Sequence, residues 1–275
     1  MGGPLLTLSG VAKSFGEVEA LTHVDLDINA GQVIGLVGGN GAGKTTLLRL
    51  MAGVMEPTNG SILFGTEPVS TMRDKLGVVP ESTGLYSRLT AWENIRYHSR
   101  MYGISDEVAW NRVSHFANRL EIADSLSRHT KGFSRGMRQK TALLRALAHG
   151  PDILLLDEPT AGLDVTSART VRSLVGQLRD EGGTVIYSTH HLAEAQQVCD
   201  RIIIVHNGTI RADGSPSELL KMTGETTLEN AYVSLTSDKA RPRNEDKSKD
   251  GRLSKWWRKF LPGSTPQIKE VGEDE

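Results

Sequence analysis

The stretch Gly38-Gly39-Asn40-Gly41-Ala42-Gly43-Lys44-Thr45-Thr46 constrains this chain more than any other. It follows the apolar run Val33-Ile34-Gly35-Leu36-Val37 and leads into Leu47-Leu48-Arg49-Leu50-Met51-Ala52. A strand before and a helix after are the context in which G-x-x-x-x-G-K-[ST] acts as a phosphate-binding loop. Its glycines let successive N–H groups turn inward as an anion-binding nest, and the positive end of the following helix adds to the attraction. Lys44 can reach the β- and γ-phosphates, and the Thr45 hydroxyl can ligate Mg²⁺. Average residue usage would produce the pattern by accident in on the order of one per cent of chains this long. The stretch reads as a nucleoside triphosphate site.

A chain of 275 residues can bury a proper core, as one large domain or two modest ones. With 24% charged residues and a formal net charge of −1, it shows no overall bias toward nucleic acid. The one cysteine, Cys199, rules out an internal disulfide and reads as a buried small apolar residue. No run of 18 or more apolar residues is present, so no transmembrane helix is expected. Met1-Gly2-Gly3-Pro4 lacks the basic and apolar regions of a signal peptide. The expectation is a cytosolic chain that meets a membrane only through a partner or a surface segment.

Residues 5–30 read as strands, with Val24, Leu26 and Ile28 alternating with Asp25, Asp27 and Asn29. Ser61-Ile62-Leu63-Phe64-Gly65 is expected in the same sheet. From about 85 to 150 the pattern is helical, and two buried-strand candidates follow, Ile153–Leu156 and Thr184–Ser188. Their continuous apolar runs suit a parallel sheet covered on both faces. Asn207-Gly208 between apolar stretches predicts a β-hairpin over residues 201–210. The fold class is α/β: an antiparallel N-terminal sheet, a parallel core and an inserted helical subdomain. Without an internal repeat, there is one nucleotide-binding unit per chain.

Beyond Thr236 the composition changes. Residues 237–251 are nearly all polar or charged and read as disordered. Leu253, Trp256, Trp257, Phe260 and Leu261 then recur at helical spacing among Arg252, Lys255, Arg258 and Lys259. A basic amphipathic helix over 252–261 would suit an anionic membrane surface or a partner. The alternative is a tail that folds back on its own domain or does not fold.

Ile153-Leu154-Leu155-Leu156-Asp157-Glu158 ends a buried strand in two carboxylates, and ligands of parallel sheets lie at such strand ends. Asp157 can hold Mg²⁺, directly or through water, and Glu158 can polarise an attacking water. Ser188-Thr189-His190-His191 closes the next strand, which places His190 to bond the γ-phosphate. Phe133-Ser134-Arg135-Gly136-Met137-Arg138-Gln139 opens another helix with Ser134 as N-cap, a second potential anion site. One phosphate loop with two phosphate-binding helix ends points to two chains facing head to tail.

These segments resemble the ATP-binding subunits of ABC transporters. The phosphate loop, Phe133–Gln139, Leu156-Asp157-Glu158-Pro159-Thr160, Gly162-Leu163-Asp164 and His190 occur in that family's order and spacing, and the likeness spans residues 4–236. It implies a P-loop NTPase with a RecA-like core sheet, ATP and Mg²⁺ as ligands, a homodimer or a paralogous ATPase partner, and a transmembrane permease. Phe15 resembles the aromatic that stacks on adenine, and Asp164 the residue coupling the two sites. Ser134 and Gly136 would contact the γ-phosphate held by the partner, and residues 81–94 would face the permease. Gly84–Thr90, Phe133–Met137 and Leu228-Glu229-Asn230-Ala231-Tyr232 look most like the exporter branch of sodium-efflux and drug-efflux ATPases. The implied location is peripheral, on the cytoplasmic side of the membrane.

The chain departs from the family pattern at several places. Gly39 replaces the usual proline, Arg135 the first signature glycine, Met137 a glutamine and Ala161 a serine. Glu81 stands where a glutamine usually ligates Mg²⁺ and senses the permease, and its carboxylate adds a charge near the γ-phosphate. Two rival readings are a soluble ATPase of the same family acting on nucleic acid or ribosomes, and a nucleotide-sensing module without turnover. The first usually carries two ATPase units or a long coiled coil, absent here. Only Glu81 favours the second, against the intact Asp157-Glu158 pair.

Overall fold

A computed structural model of the chain describes residues 3–237. The proposed tail helix over 252–261 lies outside the described residues.

β1 (Leu6–Phe15) and β2 (Val18–Ile28) pair antiparallel, with β4 (Asn59–Phe64) on the other edge of β1 and the short β5 (Glu67–Pro68) beyond it. The predicted alternation is observed: Val24, Leu26 and Ile28 are buried while Asp25, Asp27 and Asn29 face solvent. Five mutually parallel strands form the core, in the order β9 (Arg201–His206), β3 (Val33–Val37), β8 (Thr184–Thr189), β7 (Ile153–Asp157), β6 (Leu76–Val79). Every residue of β3, β7 and β8 is buried. Successive side chains leave opposite faces of a strand. Thus Ile34, Leu36, Leu155 and Ile186 join the apolar cluster beneath α1 (Lys44–Met51), with Leu47 and Leu50. Val33, Leu154, Leu156 and Val185 join the cluster on the other side. That cluster is built with α4 (Arg135–Leu147), α5 (Val165–Asp180) and α6 (Leu192–Val198).

The Asn207-Gly208 hairpin is present, both residues at positive φ (48° and 71°) as a type I′ turn requires. Its second strand, β10 (Thr209–Gly214), meets β2 in parallel at Thr209↔His23, which joins both parts into one ten-stranded sheet. The helical insert comprises α2 (Ala91–Met101), α3 (Asp106–Arg119) and α4, whose N-caps are Thr90, Ser105 and Ser134. Thr90 and Glu93 form a reciprocal capping box. α7 (Pro216–Thr223) and α8 (Leu228–Thr236) complete the described residues.

β6 was not expected from the sequence. It is only four residues long and Gly77 interrupts its apolar run. That glycine is there because α4 crosses closely: a Cβ at Gly77 would lie 2.7 Å from the Ala146 carbonyl oxygen. The insert therefore rests directly on the core sheet, and α2, α3, β6 and β7 contribute to one apolar cluster.

Candidate nucleotide site

The site begins where β3 ends. Gly43, with φ of 110°, is the N-cap of α1 and makes no side-chain cap. A Cβ there would come within 2.8 Å of the Ala20 carbonyl oxygen and Leu21 Cδ2, so glycine alone lets α1 start so close to β2. The first N–H groups of a helix have no partner within it and gather positive potential. Here they open onto a cleft of about 290 Å³ lined by residues 39–46 together with Glu81, Glu158, Ala161 and His190.

Around this cleft the charged groups converge. Lys44 Nζ donates to the carbonyl oxygens of Gly38 (2.8 Å) and Gly39 (3.2 Å), and lies 3.4 Å from Glu158 Oε1. Glu158 Oε2 is 2.8 Å from His190 Nδ1, so one carboxylate links the lysine to the imidazole. Lys44 and Glu158 side chains are 7% and 13% exposed, which strengthens their attraction over that of a surface pair. Glu158 has a left-handed backbone, φ 48°, unusual for a residue with a side chain. Its N–H donates to Ser188 Oγ at 3.0 Å, and the same hydroxyl donates to Asp157 Oδ1 at 2.7 Å.

Asp157 is itself buried at the end of β7 and does not line the cleft; it borders an apolar cavity of about 210 Å³ with Leu48, Val79 and Leu155. Among the described residues no three His, Cys, Asp or Glu side chains make a metal cage. Of the expected donors, the Thr45 hydroxyl and the Glu81 carboxylate line the cleft, while the Asp157 carboxylate does not. This set fits Mg²⁺, which keeps waters and phosphate oxygens in its shell and needs few protein ligands.

Ser134, Gly136 and Asp164 lie together elsewhere, at the starts of α4 and α5, and none lines the cleft. Ser134 Oγ accepts from Met137 N–H at 3.2 Å, the predicted N-cap. Gly136 lies against Ser167, whose N–H and hydroxyl both donate to Asp164. Those two bonds hold the Asp164 carboxyl below the usual carboxylate range. Phe15 is half exposed at the end of β1, with Lys13 Nζ 5.4 Å from its ring centroid, and also lies outside the cleft lining. Cys199 is buried as expected, and burial pushes its thiol pKa up.

Sequence reading missed two groups that support the cleft. Ser188 is one. The other is Glu194 on α6, buried, which accepts from Thr160 Oγ1 (2.8 Å) and Thr189 Oγ1 (3.0 Å) and pairs with Arg172 (3.3 Å). Thr160 follows Glu158 by two residues and Thr189 precedes His190, so one carboxylate braces both loops. A glutamate in an amphipathic helix looks solvent-facing in sequence, and only the fold turns it inward.

Residues 21–161 match the family described as ABC transporter. Over 239 residues the chain is 38% identical to the ABC transporter ATP-binding protein NatA of Bacillus subtilis, covering 84% of this chain and 97% of that one. The Nod factor export ATP-binding protein I of Cupriavidus pinatubonensis is 33% identical over 220 residues, 78% of this chain and 68% of that one. An ATP-binding cassette solved as a dimer in a post-hydrolysis state, bound to ADP and Pi, superposes with a TM-score of 0.70 at 27% identity. That superposition covers 76% of this chain and 98% of the other. The chain belongs to the ABC transporter family as one of its ATP-binding subunits, an ATPase.

Proposed function

We propose that the cleft hydrolyses Mg²⁺-bound ATP when two copies, or one copy and a paralogous subunit, close head to tail, and that hydrolysis drives a separate permease. The observation that carries this is the Lys44–Glu158–His190 cluster at the mouth of the phosphate loop. The partnerless N–H groups at the start of α1 bind phosphate oxygens, and Lys44, with three N–H donors, stabilises charge on the γ-phosphate while it stays seated on the Gly38 carbonyl. Glu158 takes a proton from the attacking water while His190 orients that water and the γ-phosphate. Thr45, Asp157 and Glu81 would hold Mg²⁺, whose chemistry is to neutralise charge on the β- and γ-oxygens. Phe15 stacks on adenine. Ser134 and Gly136 of the facing copy close over the γ-phosphate, and Asp164 links one site to the other.

The permease contact falls on residues 81–94 and the remainder of α2. Tyr86, Tyr97 and Met101 are exposed there, and Tyr86 and Tyr97 pack edge to face with centroids 5.5 Å apart. Isolated exposed apolar residues are ordinary, whereas a cluster favours a partner. Export is the direction favoured by the branch likeness and by the likeness to a Nod factor export ATP-binding protein. The subunit then works at the cytoplasmic face of the membrane, with the segment 252–261 as a further contact with lipid or partner. The test is Glu158→Gln: ATP binding should persist, a dimer should accumulate on size exclusion with ATP, and phosphate release should fall at least about a hundredfold, the scale of a lost general base. Undiminished phosphate release would remove Glu158 from its role.

A further inference from the structure

Two peculiarities of the sequence meet in one hydrogen bond. Gly39 stands where the family resemblance leads one to expect proline, and Tyr232 lies in α8, the last helix of the described residues. The Gly39 N–H donates to the Tyr232 hydroxyl oxygen at 3.1 Å. Proline has no N–H, so this donor exists because glycine is present. Tyr232 is half-buried against the apolar core and does not line the nucleotide cleft, so it reaches the loop from outside the cleft.

The bond bears on chemistry because of the peptide unit it grips. The Gly39 N–H and the Gly38 carbonyl belong to one planar group and turn together. That carbonyl accepts from Lys44 Nζ at 2.8 Å. Fixing the N–H at one end therefore fixes the carbonyl that seats the lysine at the other. We propose that Tyr232 is a positioning residue for nucleotide binding: through the 38–39 peptide it sets the pose of the phosphate loop and of Lys44. In this chain α8 takes over part of the work of a proline, holding by a hydrogen bond what a ring would hold covalently. The proposal rests on the reading of Lys44 as a phosphate ligand.

The test is a double-substitution cycle on the full-length protein, reading ATP dissociation constants, KM and kcat. Tyr232→Phe removes only the acceptor and should weaken ATP binding about three- to tenfold, the scale of one hydrogen bond, with kcat at saturating ATP changed less than twofold. Gly39→Pro alone puts a ring carbon where the N–H met the hydroxyl, and should also weaken binding. In the Gly39→Pro background, Tyr232→Phe should cease to harm and should restore affinity, since the hydroxyl has nothing left to accept. No loss in the single Tyr232→Phe variant would overturn the proposal, and that arm decides alone if Gly39→Pro does not fold. An equal loss in both backgrounds would also overturn it, because it would assign Tyr232 to packing alone. Lys44→Ala separates the two claims: if it binds ATP as the parent does, the reading of Lys44 fails. If it loses binding and Tyr232→Phe does not, only the present inference fails.

Discussion

Asp157 and Glu158 are neighbours in sequence and have opposite surroundings. Asp157 is buried at a strand end, while Glu158 turns through a left-handed backbone to face Lys44 and His190. A strained residue of this kind persists only where its surroundings hold it, and Ser188 does so by bonding both the Glu158 N–H and the Asp157 carboxylate. Ser188→Ala should therefore lower kcat about tenfold, as the carboxylates drift from their places, while costing about 1–2 kcal/mol of stability. Steady-state ATPase rates and urea unfolding of the same preparation check both numbers, and a rate loss no greater than the population unfolded would count against Ser188. The two carboxylates could be read from the sequence because they end an apolar run beside a phosphate loop. Ser188 could not, since a serine within a buried strand acquires meaning only from the register Asp157↔Ser188.

Among the elements, α2 and α4 carry a feature no motif announces. His98 on α2, Tyr102 just beyond it and His149 just after α4 pack together, with Tyr102 and His149 stacked at 4.3 Å. The Nδ1 atoms of both histidines are buried without a hydrogen-bond partner. Burial first, then repulsion from the Arg145 charge and from His149, lower the His98 pKa to about 4 from 6.5. Between these values the unfolded chain binds the proton and the folded one does not. Stability is therefore full above pH 6.5 and is lost as the pH falls toward 4. Replacing His98 with Gln should flatten the fall of the melting temperature across that window, and an unchanged slope would assign it elsewhere. Arg145 also donates to the Thr83 and Gly84 carbonyls, so the same packing supports the loop after Glu81. The helical insert was legible from its pattern and from the cap residue Ser134, whereas the Thr90–Glu93 capping box was not singled out. β6 was not, because the glycine that admits α4 erases the strand signal.

Across the whole molecule, the parallel core and the antiparallel β subdomain were readable from two periodicities, continuous apolar runs and strict alternation. The paired register between them was not, since a single pairing at Thr209↔His23 leaves no trace in composition. The same distance between pattern and geometry explains why the phosphate loop was unmistakable while Tyr232 was invisible: one is written in adjacent residues, the other spans 193 positions.

The residues of the nucleotide cleft and those at the start of α4 lie on separate surfaces of one chain, as the absence of Ser134, Gly136 and Asp164 from the cleft lining shows. Under the head-to-tail arrangement proposed above, each molecule would display a socket and a lid for its partner's socket. Turnover by the isolated subunit should then climb with the square of its concentration in dilute solution and become linear once pairing saturates. A dilution series of phosphate release, linear throughout, would mean that a lone chain completes the reaction.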